Sequence, residues 1–251
     1  MSDPGLERAV RQAGFAALLG GRCHTVAELA AAAGVPEDAA ASVIAALVAA
    51  GRATTTPDGR LDGIAGVTSR PTRHSVERAA ASAIERAPAS AVEPAAGWAG
   101  ELAAGSPGEL AADSPGGLPA DSPGELPAGS GASFLARIST WCAFDAVAIP
   151  AALRWCATAV TTCGFCSAEL RVALVDGVPE GDAWGWLPPG DCEHVLRDFC
   201  ATADLFCDRV HLDLWRAATA NPPGEPRPVI DLAELGRAAW EDCLPPAFDS
   251  R

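Results

Sequence analysis

The sequence has no lysine and no tyrosine, so all of its formal positive charge is carried by 18 arginines. With alanine and glycine abundant, that bias reads as GC-rich coding rather than as chemistry. Positive charge is also short in total, because 32 acidic residues leave a formal net charge of -14. Such a balance argues against a general binder of nucleic acid or of anionic membranes. The amino terminus, Met1-Ser2-Asp3-Pro4, lacks a basic stretch followed by an apolar core, and nowhere do 18 apolar residues run together. The expectation is a soluble, cytoplasmic protein with neither nucleic acid nor membrane as partner.

What is present is enough apolar material for a core, 49% of 251 residues, and nine cysteines. An odd count without a secretion signal favours free thiols over a disulfide framework, which raises thiol chemistry and soft-metal binding among the candidate functions.

Residues 4 to 19 carry an amphipathic pattern (Leu6, Val10, Phe15, Leu18, Leu19) that predicts a first helix. Thr25-Val26-Ala27-Glu28 is a capping box for a second, closed by Gly34. Pro36 opens a third, with Val43, Ile44, Leu47 and Val48 on its apolar face. Residues 52–56 and 60–65 flank the turn Pro57-Asp58-Gly59 and read as a β-hairpin. Three helices and a hairpin over residues 1–77 make a winged-helix-like domain. Its third helix has no Arg or Lys between Pro36 and Ala50, and Glu37 and Asp38 occupy its first turn. A recognition helix needs donors for bases and phosphates, so the domain reads as structural, packed on a second domain. His74, in Arg70-Pro71-Thr72-Arg73-His74, is expected to be structural at that junction.

Residues 78–133 change character. Ser106, Ser114, Ser122 and Ser130 recur every eight positions, with Leu110, Leu118 and Leu126 in phase. Pro and Gly in each octad preclude an amphipathic helix. Between Ala99 and Ser133 the segment holds five acids and no base, so it reads as an extended acidic linker, with a short helix expected at 79–86.

The second domain, 134–251, is expected to be α+β with antiparallel strands. Strands at 157–162 and 168–175 flank Cys163-Gly164-Phe165-Cys166, with a turn at Asp176-Gly177 and a short strand at 183–187. Helices are expected from Cys192 to Cys200, over 209–220, and from Asp231 to Asp242. Near its start lies Ser139-Thr140-Trp141-Cys142-Ala143-Phe144-Asp145. With Ser139 or Thr140 as cap and Ile149-Pro150 limiting its length, this reads as a short buried helix. Residues i and i+3 share a helix face, so Cys142 and Asp145 present a soft ligand and a proton carrier to one volume, beside Trp141 and Phe144.

Thr140-Trp141-Cys142-Ala143-Phe144-Asp145, followed by Pro150, resembles the signature of the alkylmercury (organomercurial) lyases. Arg70-Pro71-Thr72-Arg73-His74 resembles the family's Pro-Thr-x-His segment, and Val195-Leu196-Arg197-Asp198-Phe199-Cys200 the helix leading to its second active-site cysteine. Trp215 and Leu235-Gly236-Arg237 fall at the family's later spacing. The resemblance implies an enzyme that cleaves the carbon–mercury bond by protonolysis, releasing a hydrocarbon and Hg(II). It assigns Cys142 and Cys200 as mercury ligands and Asp145 as metal neighbour and proton carrier, with no cofactor. Small cellular thiols would release the product, and a mercuric reductase would accept it. Thiolate suits a soft metal, and a second thiolate makes the attached carbon more basic. Cys207-Asp208-Arg209-Val210-His211 resembles the family's sequence after that cysteine and competes for the second thiol. Cys200 is preferred, because the Arg-Asp-Phe helix, Trp215 and Gly236 all fit it without gaps.

The other thiols have plainer readings. Cys163-x-x-Cys166 could be a redox pair or half of a zinc site, but no helix start follows it and no second Cys-x-x-Cys completes a zinc ribbon; Cys163 matches a cysteine that the resemblance implies is structural, and its burial as a small hydrophobe is expected. Cys23, Cys156, Cys192 and Cys243 lie in no motif, and His194 and His211 could join a metal site, though helix-surface positions are the more ordinary reading. The alternative function is a non-catalytic soft-metal binder or metal-responsive regulator using the same thiols and the winged helix. Asp145 separates the two, since a pure binder has no use for a buried carboxyl. Deleting residues 99–130 should leave mercury binding and hydrocarbon release nearly intact, because lengthening a flexible loop costs only ~0.6 kcal/mol per doubling. Loss of turnover in a deletion that still folds would make the segment a lid or partner site.

Overall fold

The computed structural model describes residues 3–79 and 137–244. The octads, the short helix expected at 79–86 and nearly all of the 78–133 linker lie outside those residues. Asp3 starts the chain's first helix: its side chain accepts from the Gly5 N–H at 2.9 Å, and Pro4 occupies the first helical position. Helix α1 spans Pro4–Leu19, α2 Val26–Ala33 and α3 Glu37–Ala49. Thr25 and Glu28 cap α2 reciprocally, and Gly34 ends it in the left-handed region.

The hairpin comes next as β1 (Ala53–Thr55) and β2 (Leu61–Ile64), antiparallel. It does not end there. Strand β3 (Val67–Thr68) pairs with β2 on one side and with β5 (Arg137–Thr140) on the other. Strand β4 (Ser75–Arg78) lies between β5 and β6 (Ala157–Thr162), and β7 (Glu169–Val175) and β8 (Val178–Pro179) complete the edge. Among the described residues the order is β1-β2-β3-β5-β4-β6-β7-β8, antiparallel throughout. One sheet thus carries strands from both sides of the acidic segment, and one apolar core runs from Val10 and Phe15 to Ile149 and Leu232. The sequence boundary between residues 77 and 134 does not divide two cores.

Helix α4 (Ala143–Ala152) is apolar on every side and is buried on every side, against the sheet and against α6 (Val229–Trp240). Its start departs from the sequence reading. Ser139 and Thr140 do not cap it, because both are in β5, where pairing with Ser75 and Val67 claims their backbone. Cys142 is the capping residue instead, and the helix runs two residues past Pro150.

A second, small sheet orders β10 (Leu205–Phe206), β9 (Trp184–Leu187) and β11 (Glu225–Pro228). A single π-helical turn, Val195–Cys200, stands where a helix from Cys192 was expected, with His194 as its cap. Helix α5 (Arg209–Ala218) comes after β10. Among the described residues no single helix is long and apolar enough to cross a membrane.

Helices α4 and α6 approach so closely that a Cβ on Gly236 would lie 2.5 Å from the Ala148 Cα and Cβ. Backbone cannot yield as a side-chain tip does. Replacing Gly236 by Ala should therefore force the helices apart and lower stability by about 1–3 kcal/mol in urea denaturation, despite alanine's better helix propensity. An unchanged or higher midpoint would show that α6 slides without cost.

Candidate active site

Strand β5 delivers the chain to the site and two neighbours hold it there. The Trp141 N–H donates to the Gly66 carbonyl at 2.9 Å, and the Thr72 hydroxyl donates to the Thr140 carbonyl at 2.8 Å. Cys142 is still extended (φ -144°, ψ 175°), and the next residue begins α4. Asp145 then curls back from the first turn: its Oδ2 accepts the Cys142 N–H at 3.2 Å and faces the Cys142 Sγ at 3.2 Å. The carboxyl thereby satisfies a helix N-terminus that no Ser or Thr serves.

Cys200 arrives from the far side, at the end of the π-helical turn. That turn is fixed at its start. The Val195 N–H donates to the Ala50 carbonyl at 3.0 Å, and the Asp198 carboxylate accepts the His194 N–H at 2.9 Å. The two sulfurs and a carboxylate oxygen of Asp145 all lie within 4.8 Å of one another. Cys142 has 0% of its surface exposed and Asp145 4%, while Cys200 is half-buried.

Above them opens a cavity of about 460 Å³. Asp145 and Cys200 line it, but Cys142 does not; it lies beneath them. Trp141, Phe144, Phe199 and Trp240 make the walls apolar. Phe144 packs edge-on to Phe199 at 5.6 Å and against Trp240 at 5.8 Å, which closes the walls over the carboxyl. The rim includes Arg11 and Arg52, from the amino-terminal helices and their end. Gly66, at φ +82°, lies against the carboxyl so closely that a Cβ there would stand 2.7 Å from the Asp145 Cγ.

Burial sets the protonation of both groups. It raises the Asp145 carboxyl from 3.8 to about 7, against the opposing hydrogen bonds from the Cys142 side chain and N–H. Burial also pushes the Cys142 thiol well above its ordinary range, and the neighbouring Cys200 thiol and Asp145 charge add to that. At neutral pH the pair therefore holds a thiol beside a carboxyl poised between its two forms.

Of the sequence candidates, Cys142, Asp145 and Cys200 are brought together. Cys207 is not with them. It lies with Cys163, Cys166 and His211, whose ligand atoms also fall within 4.8 Å of one another. Cys163 is buried as expected, and Cys166 is exposed. His211 is not a surface bystander: its Nδ1 is 3.6 Å from the Cys163 Sγ. His74 is buried in the sheet, with Nδ1 2.6 Å from the Thr161 hydroxyl, and burial together with Arg73 lowers it to about 4. It lies outside the cavity lining. Sequence reasoning missed Cys192, which lines the cavity from a loop without periodicity, and Gly66, whose role is visible only beside Asp145.

Residues 134–241, which include all three converging side chains, match the family model described as MerB: Alkylmercury lyase. The fold is similar to the crystal structure of the mercury-bound form of MerB2, with a TM-score of 0.68 at 13% identity. The alignment covers 96% of this chain and 92% of that one. No curated protein sequence matches the chain.

The raised carboxyl has a consequence for stability. Its protonated form is the one the fold prefers, so this contribution is complete below pH about 4 and is lost as pH rises through about 7. Between those values the native chain should lose roughly 1–4 kcal/mol relative to Asp145→Asn, measured as urea midpoints across pH. A constant difference between the two proteins would show that Asp145 ionises in the ordinary range.

Proposed function

We propose that the chain is an alkylmercury lyase, an enzyme that cleaves carbon–mercury bonds, and that it does so with Cys142, Cys200 and Asp145, a reading that the family match over residues 134–241 supports. The observation that supports these roles is the meeting of two thiols and one carboxyl at the floor of an apolar cavity. The substrate is an organomercurial carried on a small thiol. Its organic group fits the aromatic walls, and its mercury meets Cys200 first, because that sulfur lines the cavity. The Cys200 sulfur bonds to mercury, and its proton leaves with the displaced small thiolate. Cys142 attacks next, from below. As its sulfur bonds to mercury, its proton passes to the Asp145 Oδ2 that it already faces at 3.2 Å.

Two sulfurs on mercury then raise electron density at the attached carbon. The carbon–mercury bond breaks with its electron pair on carbon, and that carbon takes the proton from Asp145. Hydrocarbon leaves, Hg(II) stays on two thiolates, and Asp145 returns to carboxylate. A carboxyl held near about 7 suits both halves of this cycle, accepting a proton from a thiol and giving it to carbon. Two small thiols exchange Hg(II) off the protein and return a proton to each cysteine, and a mercuric reductase is the partner that receives it.

The amino-terminal helices and hairpin, in a winged-helix-like arrangement, have a structural role in this reading. Arg11 and Gln12 on α1 bond to the Cys243 sulfur at 3.0 Å and the Leu244 carbonyl at 2.9 Å, and Arg11 and Arg52 stand at the cavity.

Binding and cleavage should separate between the two residues of the central motif. Cys142→Ser should lose both mercury affinity and hydrocarbon release. Asp145→Ala should keep Hg(II) binding on two thiols while release falls by ~10²-fold or more. Both quantities are read on the same purified variant, by mercury titration and headspace hydrocarbon. Undiminished release from Asp145→Ala would remove the carboxyl from the proton path.

A further inference from the structure

A second constellation of ligand atoms lies outside the cavity, where the β6–β7 turn meets the start of α5. Cys163-Gly164-Phe165-Cys166 forms that turn. The Ser167 N–H donates to the Cys163 carbonyl at 3.0 Å, and the Cys163 N–H to the Ala168 carbonyl at 2.8 Å. Strand β10 runs beside it: the Gly164 N–H donates to the Leu205 carbonyl at 2.9 Å, and a Cβ on Gly164 would stand 2.9 Å from the Phe206 ring. Cys207 comes immediately after β10. Asp208 then caps α5 by accepting the His211 N–H at 2.9 Å, and the first turn places His211 over Cys207 at i,i+4 spacing.

We propose that Cys163, Cys166, Cys207 and His211 form a structural site for a tetrahedral divalent cation, zinc. The distances carry the assignment. Around a tetrahedral zinc with Zn–S of ~2.3 Å and Zn–N of ~2.0 Å, two sulfurs stand ~3.8 Å apart and a sulfur and a nitrogen ~3.5 Å apart. Here the Cys166 and Cys207 sulfurs are 3.8 Å apart, and the Cys163 Sγ and His211 Nδ1 3.6 Å. These are two opposite edges of one tetrahedron, and all four ligand atoms fall within 4.8 Å of one another. Three sulfurs and one imidazole are a donor set that closed structural zinc sites use. The order in sequence, Cys-x2-Cys then Cys-x3-His, supplies two ligands from a turn and two from a helix start. Backbone N–H groups of Phe165, Cys166 and Cys207 hydrogen-bond the Cys163 sulfur, the outer support that a ligating thiolate takes.

The site has something to hold. Among the described residues the second apolar cluster has four buried members, Cys163, Trp186, Phe206 and Leu212, with Trp184, Cys207 and Trp215 packed against it. A cluster so small stabilises its surroundings weakly, and a cation joining the turn to α5 would staple them. Cys207 is also seven residues beyond Cys200, so the staple anchors the chain that leaves the reactive thiol. Binding releases the thiol protons to solvent and leaves three thiolates and a neutral imidazole on the cation.

The test uses the full chain, expressed without mercury and purified with reductant. Cys142→Ser/Cys200→Ser removes the cavity thiols, so that any metal found belongs to the second site. Elemental analysis should find roughly one zinc per chain in that protein, falling below about 0.1 when Cys166→Ser or His211→Ala is added. Because those additions can impair folding, cobalt(II) exchanged into the parent protein gives an independent reading: strong tetrahedral d–d bands with thiolate charge transfer are expected. Absence of zinc together with no cobalt spectrum overturns the site, as does zinc retained in full by Cys166→Ser, or a Cys166–Cys207 disulfide in protein kept reduced. Mercury competing zinc out at excess, with release of one equivalent, supports the same four ligands. Metal content is read without turnover, so failure here leaves the lyase assignment standing, and failure of that assignment leaves this site untouched.

Discussion

The structure depends on keeping a thiol and a carboxyl dry at the start of one helix. Cys142 is fully buried and Asp145 nearly so, so the two groups largely solvate each other and the helix end. The cost falls on the charged forms, which is why the carboxyl moves up to about 7 and the thiol stays protonated. An exposed pair at the same spacing would hold a carboxylate and an unconnected thiol. Burial converts that spacing into a proton reservoir directly beneath a thiol that faces the cavity.

Much of the surrounding architecture derives from that requirement. A helix buried on every side needs partners on every side: the sheet below, and α6 pressed against it through Gly236. The loop at Gly66 lies over the carboxyl where no other residue would fit. The Trp240 indole N–H, which would otherwise be unpaired beside the cavity, donates to the Ala65 carbonyl at 2.9 Å and fixes that loop. The amino-terminal helices belong to this arrangement, since their strands enter the same sheet and their arginines reach the cavity.

The two thiol clusters illustrate how context divides one chemistry. Around Cys142 the ligands are two sulfurs and a carboxyl in an apolar chamber, an incomplete shell with room for a substrate. Around Cys163 they are three sulfurs and an imidazole near the surface, a full set of four donors. A carboxyl that can carry a proton stands in the first and is missing from the second. Reactivity and structure are separated by the fourth neighbour as much as by the thiols.

Local signals were legible where the chain's own periodicity or capping decides the outcome. The three amino-terminal helices, the first hairpin, the strands on either side of Cys163-x-x-Cys166 and the last helix come from apolar spacing and turn residues, to within a few positions. The closeness of Cys142 and Asp145 was legible too, because three residues span one helical turn. Capping at Ser139 and Thr140 misled because sheet pairing outweighs a cap, and no local pattern announces which strand will claim a residue. Cys200 was preferred to Cys207 as the partner of Cys142 on the family resemblance, whereas the distance at which they meet, the approach of Gly66 and the gathering of Cys163, Cys166, Cys207 and His211 were decided by tertiary structure alone. They connect residues separated by tens of positions, and such distances are set by how sheet, helices and loops pack, which no window of sequence contains.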